Sequence, residues 1–354
     1  MKSLLLVLTA GLTCVGLLRA KPNAGPIDFA RARQLIERQR SGGTLTEDEK
    51  AYLDKAKEAR KHGGGGNAPA AQRKAPGSLK PLCDMTADER YEGEDGGLYG
   101  GGKNTPPESL VKSAEAALAQ INPIEGKIAF VSISMSNATM EFSFFKRIAD
   151  ADARKSPDLM IVDCAQGGQA MAEWIDPAGR PWQEAAQRIE KAGVTPAQVQ
   201  VAWIKLANKV PTGSMQDHLT KLENDTIRVL QNARTKFPNL RIPYLGNRIW
   251  AGNAKGGLNP EPYAYETAFA VRHLIQRQMN GEAGLGAEMA PLLLWGPYLW
   301  AEGTKGRKFD ELKWEPQDFA ADGVHPGESG REKVARQLLE FFSTNPLARG
   351  WFAK

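Results

Sequence analysis

Residues 127–137 read KIAFVSISMSN, an apolar run that ends in serine and asparagine just before a stretch with helical spacing. The run Lys127–Ser134 is rich in β-branched and aromatic residues, which predicts a buried strand. Residues 138–150 are predicted to form a helix, so Ser136 is expected at the turn between them. A serine there has an exposed Oγ beside unpaired helix N–H groups, which suits a nucleophile. It also suits an ordinary helix N-cap, and the position alone does not distinguish the two.

Four further apolar runs predict strands at Leu159–Ala165, Val199–Leu206, Leu240–Leu245 and Pro291–Trp295. Predicted helices alternate with them near residues 181–192, 216–236, 261–280 and 328–342. This alternation is typical of right-handed βαβ units. We therefore expect an α/β domain of three layers, α/β/α, around a central, mostly parallel five-stranded sheet. Ligands of such domains bind beyond the carboxyl ends of the strands.

A second polar segment, Asp322-Gly-Val-His325-Pro326, precedes the last predicted helix. On such a loop the imidazole of His325 needs no burial, and a histidine can accept a serine proton as general base. A carboxylate three residues earlier can bond to Nδ1 and fix the tautomer, a role that Asp322 fits. The alternative is a plain turn in which Asp322 caps the backbone and His325 is a surface residue.

The chain has 354 residues, and its N-terminal part differs in composition from the rest. In residues 1–20, Lys2 and the apolar run Leu4 to Leu18 predict a signal peptide, hence a secreted or periplasmic protein. Residues 21–80 are predicted to form two short helices, Asp28–Gln39 and Glu47–Arg60, followed by a flexible basic linker. The main domain is expected to span residues 81–354.

The net charge of +5 is unevenly distributed along the chain. Residues 21–80 carry +6 and residues 1–20 carry +2, which leaves −3 for residues 81–354. A mildly acidic main domain argues against a nucleic-acid partner, because phosphate binding needs a clustered basic face. The basic segment 21–80 either contacts an anionic envelope surface or is simply solvated.

Two cysteines, Cys83 and Cys164, lie outside the predicted signal peptide. They could form a disulfide in an oxidising compartment or remain two buried thiols, and the sequence does not decide between these. Neither has a second metal ligand nearby, so their spacing predicts no metal site.

Four short blocks follow one another along the chain: Ser134-Met-Ser-Asn137, Ala165-Gln-Gly-Gly168, Leu206-Ala-Asn208 and Asp322–Pro326. In this order they resemble the serine, glycine, asparagine and Asp-x-x-His blocks of the SGNH/GDSL-like serine hydrolases. The resemblance covers roughly residues 81–345 and implies a flavodoxin-like fold. Longer strings that begin at Gly96, Asn247 and Leu258 resemble planctomycete-like secreted members of this group.

The resemblance implies an esterase that cleaves carboxylic esters through an acyl-enzyme, with neither metal nor cofactor. Ser136 would be the nucleophile and His325, oriented by Asp322, its general base. Three groups would hold the oxyanion: the N–H of Ser136, the N–H of Gly167 or Gly168, and the side-chain amide of Asn208.

Two of the blocks depart from the family pattern. Ser134-Met135 replaces the usual Gly-Asp before the nucleophile, and Leu206-Ala-Asn-Lys209 replaces Gly-x-Asn-Asp. Neither departure removes a catalytic side chain, although losing the aspartate alters support of the oxyanion loop. The departures also allow an alternative function, a non-catalytic glycan-binding or structural envelope protein on the same fold.

Candidate substrate-binding residues are Glu141, Arg248, Trp250 and Tyr298. Arg248 could hold a carboxylate or sulfate, or form a salt bridge to a glutamate. Glu141 could contact substrate or place charge near a helix N-terminus. Aromatic rings near the predicted strand ends would suit sugar stacking, although core packing is the alternative for most of them: Trp174, Trp250, Tyr263, Tyr265, Trp295, Tyr298 and Trp300. The expected substrate is a small-molecule or polysaccharide ester, with carbohydrate deacetylation as one possibility.

Two histidines outside the Asp322–Pro326 block are expected to be structural. Asp217-His218 is predicted to be a solvated helix start rather than a metal pair, because adjacent helical residues point in different directions. His273 is expected to pack or to lie at the surface.

Overall fold

The computed structural model describes residues 35, 38–39, 44–61, 72–73, 75 and 77–353. The chain divides into two compact units, Met1–Pro69 and Ala70–Lys354. In the first unit, helix α1 spans Glu47–Lys61. The capping box predicted at its start is confirmed: the Thr46 N–H donates to Glu49 at 2.9 Å, and the Glu49 N–H donates to Thr46 Oγ1 at 3.3 Å. The predicted signal peptide and most of the predicted helix Asp28–Gln39 lie outside the described residues.

The second unit is built on five strands, which confirms the predicted α/β fold. They are β1 Ile128–Ser134, β2 Leu159–Val162, β3 Val199–Lys205, β4 Ile242–Leu245 and β5 Leu294–Trp295. The strand order is β2-β1-β3-β4-β5, and every neighbouring pair is parallel. Because the chain leaves β1 for one edge and then returns past it to β3, the order reverses between these two strands. In such sheets the crevice at the reversal is the usual place for a ligand.

Among the described residues of the second unit, one α-helix precedes β1, and the others lie in the connections between the strands or follow the last strand. They are α2 Glu108–Leu118, α3 Ser136–Asp150, α4 Met171–Trp174, α5 Arg180–Lys191, α6 Met215–Lys236, α7 Tyr263–Met279, α8 Glu328–Thr344 and α9 Arg349–Phe352. Helix α3 packs against α8, and α6 packs against α7. The helices predicted within residues 81–354 are all present, whereas α2 and the short α4 and α9 were not predicted.

An aromatic part of the core lies where β1 meets helices α3 and α8. Every residue of β1 and of β3 is buried. The Phe130 ring on β1 contacts Phe142 and Phe145 of α3 at 5.2 and 6.0 Å between centroids, and Phe342 of α8 at 4.8 Å. Burial of each such ring stabilises the folded state by roughly 1.5–3 kcal/mol relative to an exposed ring. This packing fixes α3 on the sheet, and with it the position of Ser136.

The folded unit begins earlier than the predicted boundary at residue 81. Arg73 donates from Nε to the Gly213 carbonyl at 2.7 Å and forms an ion pair with the buried Glu266. Leu79 is 6% exposed and belongs to the core. Residues 77–80 therefore pack with the domain instead of belonging to a flexible linker. Leu79 contributes an apolar side chain to the core, and Arg73 attaches the preceding segment to the domain through its hydrogen bond and ion pair. Most of the glycine-rich part of the predicted linker lies outside the described residues.

The two cysteines are unpaired thiols. Cys83 is partly buried, and burial raises the pKa of its thiol to about 12. Cys164 is buried, and its Sγ lies 3.8 Å from the Ala185 carbonyl. The sequence left open a disulfide or two thiols, and the structure has two thiols.

None of the helices among the described residues is both long and apolar enough to cross a membrane.

Candidate active site

Ser136 lies where β1 passes into α3. β1 ends at Ser134, Met135 is extended, and α3 begins at Ser136. The Ser134 hydroxyl donates to the Lys205 carbonyl, which ties the end of β1 to β3. As the first helical residue, Ser136 carries one of the N–H groups that have no acceptor within the helix. The turn thus presents a hydroxyl and an amide at the carboxyl edge of the sheet.

The loop before α8 brings His325 to this turn. Its Nε2 lies 2.8 Å from Ser136 Oγ, and its Nδ1 lies 2.5 Å from Asp322 Oδ2. These three side chains, separated by up to 189 residues in sequence, form one continuous hydrogen-bonded chain. The distance between Ser136 Oγ and His325 Nε2 is within the reach needed for proton transfer to a general base.

Asp322 is held in its charged form. Burial opposes ionisation, but hydrogen bonds from the N–H groups of His325 and Val324 and from the His325 ring lower its pKa to about 2. At neutral pH an anionic Asp322 accepts a hydrogen bond from the Nδ1–H group of His325. The Nε2 atom is then the acceptor that faces the Ser136 hydroxyl.

Gly323 allows this loop to approach its neighbour. Its φ is +71°, and a Cβ there would lie 1.9 Å from the Asn253 carbonyl oxygen. Only glycine fits at this position, because a side chain would both clash and strain the backbone.

Asn137 joins the two halves of the site, a role that the sequence reasoning missed. It is 2% exposed, and its Nδ2 donates to the Val324 carbonyl at 2.8 Å. The residue after the candidate nucleophile thereby holds the residue before His325. The available sequence signal was a polar side chain next to Ser136 on a helix whose other face is apolar.

Asp163, just past β2, braces the nucleophile turn and was also missed. Its carboxylate accepts from Ser132 Oγ at 2.6 Å, from the Thr139 hydroxyl, and from the Ala165 N–H at 3.1 Å. Burial raises the pKa of Asp163 despite these hydrogen bonds. It ties residues on both sides of Ser136 to β2, although no aspartate precedes the serine in sequence.

A cavity of about 270 Å³ opens onto Ser136 and His325. Of the two glycines proposed as oxyanion donors, Gly168 lines this cavity and Gly167 does not. Asn208 does not line it either. Asn208 is 9% exposed, and its carbonyl accepts a hydrogen bond from Asn259, which does line the cavity.

A buried charged group lies beside the cavity. Glu141 of α3 and Lys205 of β3 are fully buried and form an ion pair. Glu141 is absent from the cavity wall, so the suggested substrate contact for it is wrong: the carboxylate is engaged by Lys205 inside the protein. Arg248 does line the cavity and forms no salt bridge to Glu261 or Glu266 within 4.0 Å among the described residues.

Tyr298 and Trp250 do not line the Ser136 cavity. Tyr298 is 6% exposed, and its hydroxyl accepts from the Leu82 N–H at 2.9 Å, so it is a core residue and the suggested substrate role is wrong. Trp250 is partly buried and packs on Phe319 at 5.8 Å between ring centroids. The remaining rings suggested for sugar stacking are buried: Trp174, Tyr263, Tyr265, Trp295 and Trp300. These rings pack in the core because each can bury a large apolar area.

His218 and His273 each contact carboxylates. His218 is not solvated as predicted: it is 3% exposed, with Nδ1 2.8 Å from Glu266. His273 lies with Nδ1 2.8 Å from Glu223 and Nε2 3.1 Å from Glu94. In the part of the chain that the structure describes, no three His, Cys, Asp or Glu side chains are grouped as metal ligands.

No family model matches the sequence, and no curated protein matches it significantly. Among solved structures, it is similar to a GDSL-like lipase from Bacteroides thetaiotaomicron, with 10% identity, a TM-score of 0.34, and coverage of 65% of this chain and 95% of that one. It is also similar to an extracellular lipase from Streptomyces rimosus, with 9% identity, a TM-score of 0.32, and coverage of 60% and 98%. In its four sequence blocks, its parallel five-stranded sheet and the arrangement of Ser136, His325 and Asp322, the chain is similar to the SGNH/GDSL-like hydrolases.

Proposed function

We propose that the protein is a serine hydrolase that cleaves carboxylic esters through an acyl-enzyme. The observation that carries the proposal is the hydrogen-bonded chain from Ser136 Oγ through His325 to Asp322, which opens onto a cavity. A hydroxyl, an imidazole and a carboxylate in this order form the arrangement that activates a serine for acyl transfer.

In the proposed reaction, Ser136 Oγ attacks the ester carbonyl carbon while His325 Nε2 takes the hydroxyl proton. The carbonyl oxygen becomes an oxyanion in the tetrahedral intermediate. When the intermediate collapses, the bond to the alcohol oxygen breaks and His325 returns the proton to the departing alcohol. Water then attacks the acyl-enzyme by the same route, releasing the acid and restoring Ser136.

The oxyanion would be held by the N–H groups of Ser136 and Gly168, the donors that border the cavity. A single such donor is typically worth about 3–4 kcal/mol of transition-state stabilisation. Asn208 contributes in this proposal only if its side chain turns toward the cavity, since it is not part of the wall.

Ester hydrolysis by purified protein tests the proposal, with 4-nitrophenyl acetate and other short-chain esters as probes. We expect Ser136→Ala and His325→Ala to lose turnover, while Ser143→Ala, an exposed serine on the same helix, retains it. Wild-type turnover in Ser136→Ala would contradict the proposal. A folded wild-type protein that neither hydrolyses esters nor reacts with a fluorophosphonate would favour the non-catalytic, glycan-binding alternative.

The finer proposal is that the ester is an O-acetyl group on a carbohydrate. A cavity of about 270 Å³ lies just below the usual size of drug-sized ligand sites, which suits a short acyl group. Buried aromatic rings lend it no support. Acetate release from acetylated xylo-oligosaccharides, measured against 4-nitrophenyl acetate, tests it. Turnover of aryl acetates with none on acetylated sugars would contradict the carbohydrate proposal alone.

We also propose export through residues 1–20 and a contact of the basic segment 21–80 with an anionic envelope surface. The support is the sequence: an apolar run after Lys2, then the excess of positive charge. Fractionation of cells that express the full chain and a chain lacking residues 21–69 tests both. Cytoplasmic retention of the full chain would contradict export, and equal envelope association of both chains would contradict the contact.

A further inference from the structure

Arg248 brings an unpartnered positive charge to the Ser136 cavity. The residue is 2% exposed, and its Nε and Nη1 atoms are buried without a hydrogen-bond partner among the described residues. The side chain lines the same cavity as Ser136 and His325. A guanidinium stays charged in proteins, so burying it without partners costs free energy that a bound anion would offset.

The nearby carboxylates do not neutralise Arg248 by direct contact. Glu141 acts on Arg248 through its charge, but its ion pair is with Lys205. Glu261 also acts on it from a distance, while its two oxygens accept hydrogen bonds from Ala251, Tyr265 and Trp300. Both oxygens of Glu261 are thus committed to other donors, while Glu141 uses Oε2 for Lys205 and its Oε1 has no hydrogen-bond partner among the described residues. Neither carboxylate forms an ion pair with Arg248 within 4.0 Å, so the guanidinium remains available.

The two charged side chains in the cavity wall are both basic. Lys209 and Arg248 line it together with His325, and neither an aspartate nor a glutamate of the described residues does so. Lys209 is exposed and paired with Glu173 at 2.6 Å, so it is a weaker candidate than Arg248. An anion that enters the cavity would meet Arg248 in a partly desolvated place, where charge pairing is strong.

We propose that Arg248 is a specificity-determining residue that binds a carboxylate on the ester substrate, so that the preferred substrates are anionic esters. This rests on the proposed serine hydrolase function. The carboxylate can belong to the acyl part or to the alcohol part of the ester, and the two are separated by experiment.

Two pairs of esters test the proposal, each consisting of a carboxylate and its uncharged carboxamide. In the first pair, monoethyl fumarate and ethyl fumaramate, the carboxylate or carboxamide is in the acyl part of the ester. In the second pair, 4-acetoxybenzoate and 4-acetoxybenzamide, the carboxylate or carboxamide is in the alcohol part. Within each pair the shape is nearly the same, and in neither can the carboxylate reach its own ester. Each kcat/KM is divided by the rate of hydroxide-catalysed hydrolysis of the same ester.

For wild-type protein we expect the carboxylate member of at least one pair to have the higher normalised kcat/KM, by about tenfold or more. Arg248→Met should reduce the carboxylate-to-carboxamide ratio by about 30-fold or more, mainly through KM, because it removes the charge and keeps the length. Arg248→Lys should retain part of the ratio. Arg228→Met, which changes an exposed arginine on α6, should leave the ratio as in wild type.

The outcomes separate this inference from the function on which it rests. A wild-type enzyme that depends on Ser136 but favours neither carboxylate overturns the role of Arg248 alone. An equal loss on both members of a pair in Arg248→Met overturns it as well, since the arginine would then only support the fold. If Arg248→Met does not fold, the wild-type ratio decides, together with competitive inhibition by fumarate against fumaramide. Absence of any Ser136-dependent hydrolysis overturns both proposals.

Discussion

Ser136 is an ordinary hydroxyl until its neighbours are considered. His325 at 2.8 Å provides a proton acceptor, and Asp322 orients that acceptor from the other side. The sequence predicted these three residues and their order, because each stands in a recognisable block. It did not predict Asn137 or Asp163 as supports, since their partners come from other parts of the chain and no local pattern identifies them.

Replacing Asp322 with asparagine tests the role of this carboxylate. An asparagine can keep an oxygen toward the Val324 and His325 N–H groups, but it cannot stabilise the charged imidazole. We expect kcat to fall by roughly 10³- to 10⁴-fold at neutral pH, with little change in the free energy of unfolding. Ester kinetics and urea unfolding of the same preparation measure both. A loss of less than tenfold would show that Asp322 is dispensable.

At the scale of the elements, the site depends on how strands and helices meet. β1 delivers Ser136 to the carboxyl edge, α3 fixes it through the Phe130 cluster, and the loop before α8 delivers His325. The Glu141–Lys205 ion pair lies between α3 and β3 with no exposure on either side chain. This pairing could not be predicted, because which strand faces which helix depends on the strand order in space.

Breaking the Glu141–Lys205 pair should destabilise the domain more than removing both charges. Lys205→Met leaves a buried carboxylate without its partner, which we expect to cost about 3–5 kcal/mol of unfolding free energy. The double variant Lys205→Met with Glu141→Leu should recover most of this loss. Urea unfolding of the four proteins in this cycle provides the measurement. Additive single effects would mean that the pair contributes no coupling.

His273 links helices α6 and α7 to the loop at Glu94, and this link should depend on pH. Burial lowers the pKa of His273, but its hydrogen bonds with Glu223 and Glu94 outweigh burial and raise the pKa to about 9. Because the folded pKa lies above the unfolded value of about 6.5, the stabilisation is complete below that value and disappears as pH rises through about 9.

We therefore expect His273→Gln to lower the unfolding free energy at pH 6 by up to about 3 kcal/mol, and to have a much smaller effect at pH 10. Chemical unfolding at both pH values measures the difference, with Ser143→Ala as the control. A difference between wild type and variant that is the same at both pH values would contradict the assigned pKa direction.

At the scale of the whole molecule, the parallel strand order β2-β1-β3-β4-β5 brings blocks that are distant in sequence together at one edge of the sheet. The alternation of strands and helices was sufficient to predict this class of fold, because hydrophobic periodicity is a local property. The burial of single residues could not be predicted in the same way. Tyr298 and Trp300 were candidate sugar contacts, but both lie in the core. The start of the domain was also missed, since Arg73 and Leu79 join it through contacts with residues far along the chain.

The central claim is that folding creates an activated serine at position 136. Its most direct test is the reaction of the purified full chain with a fluorophosphonate, followed by peptide mass spectrometry and by the rate of labelling. We predict a single adduct on Ser136, formed at least about 10²-fold more slowly in His325→Ala. An adduct on another residue, or equal rates in wild type and His325→Ala, would contradict the claim.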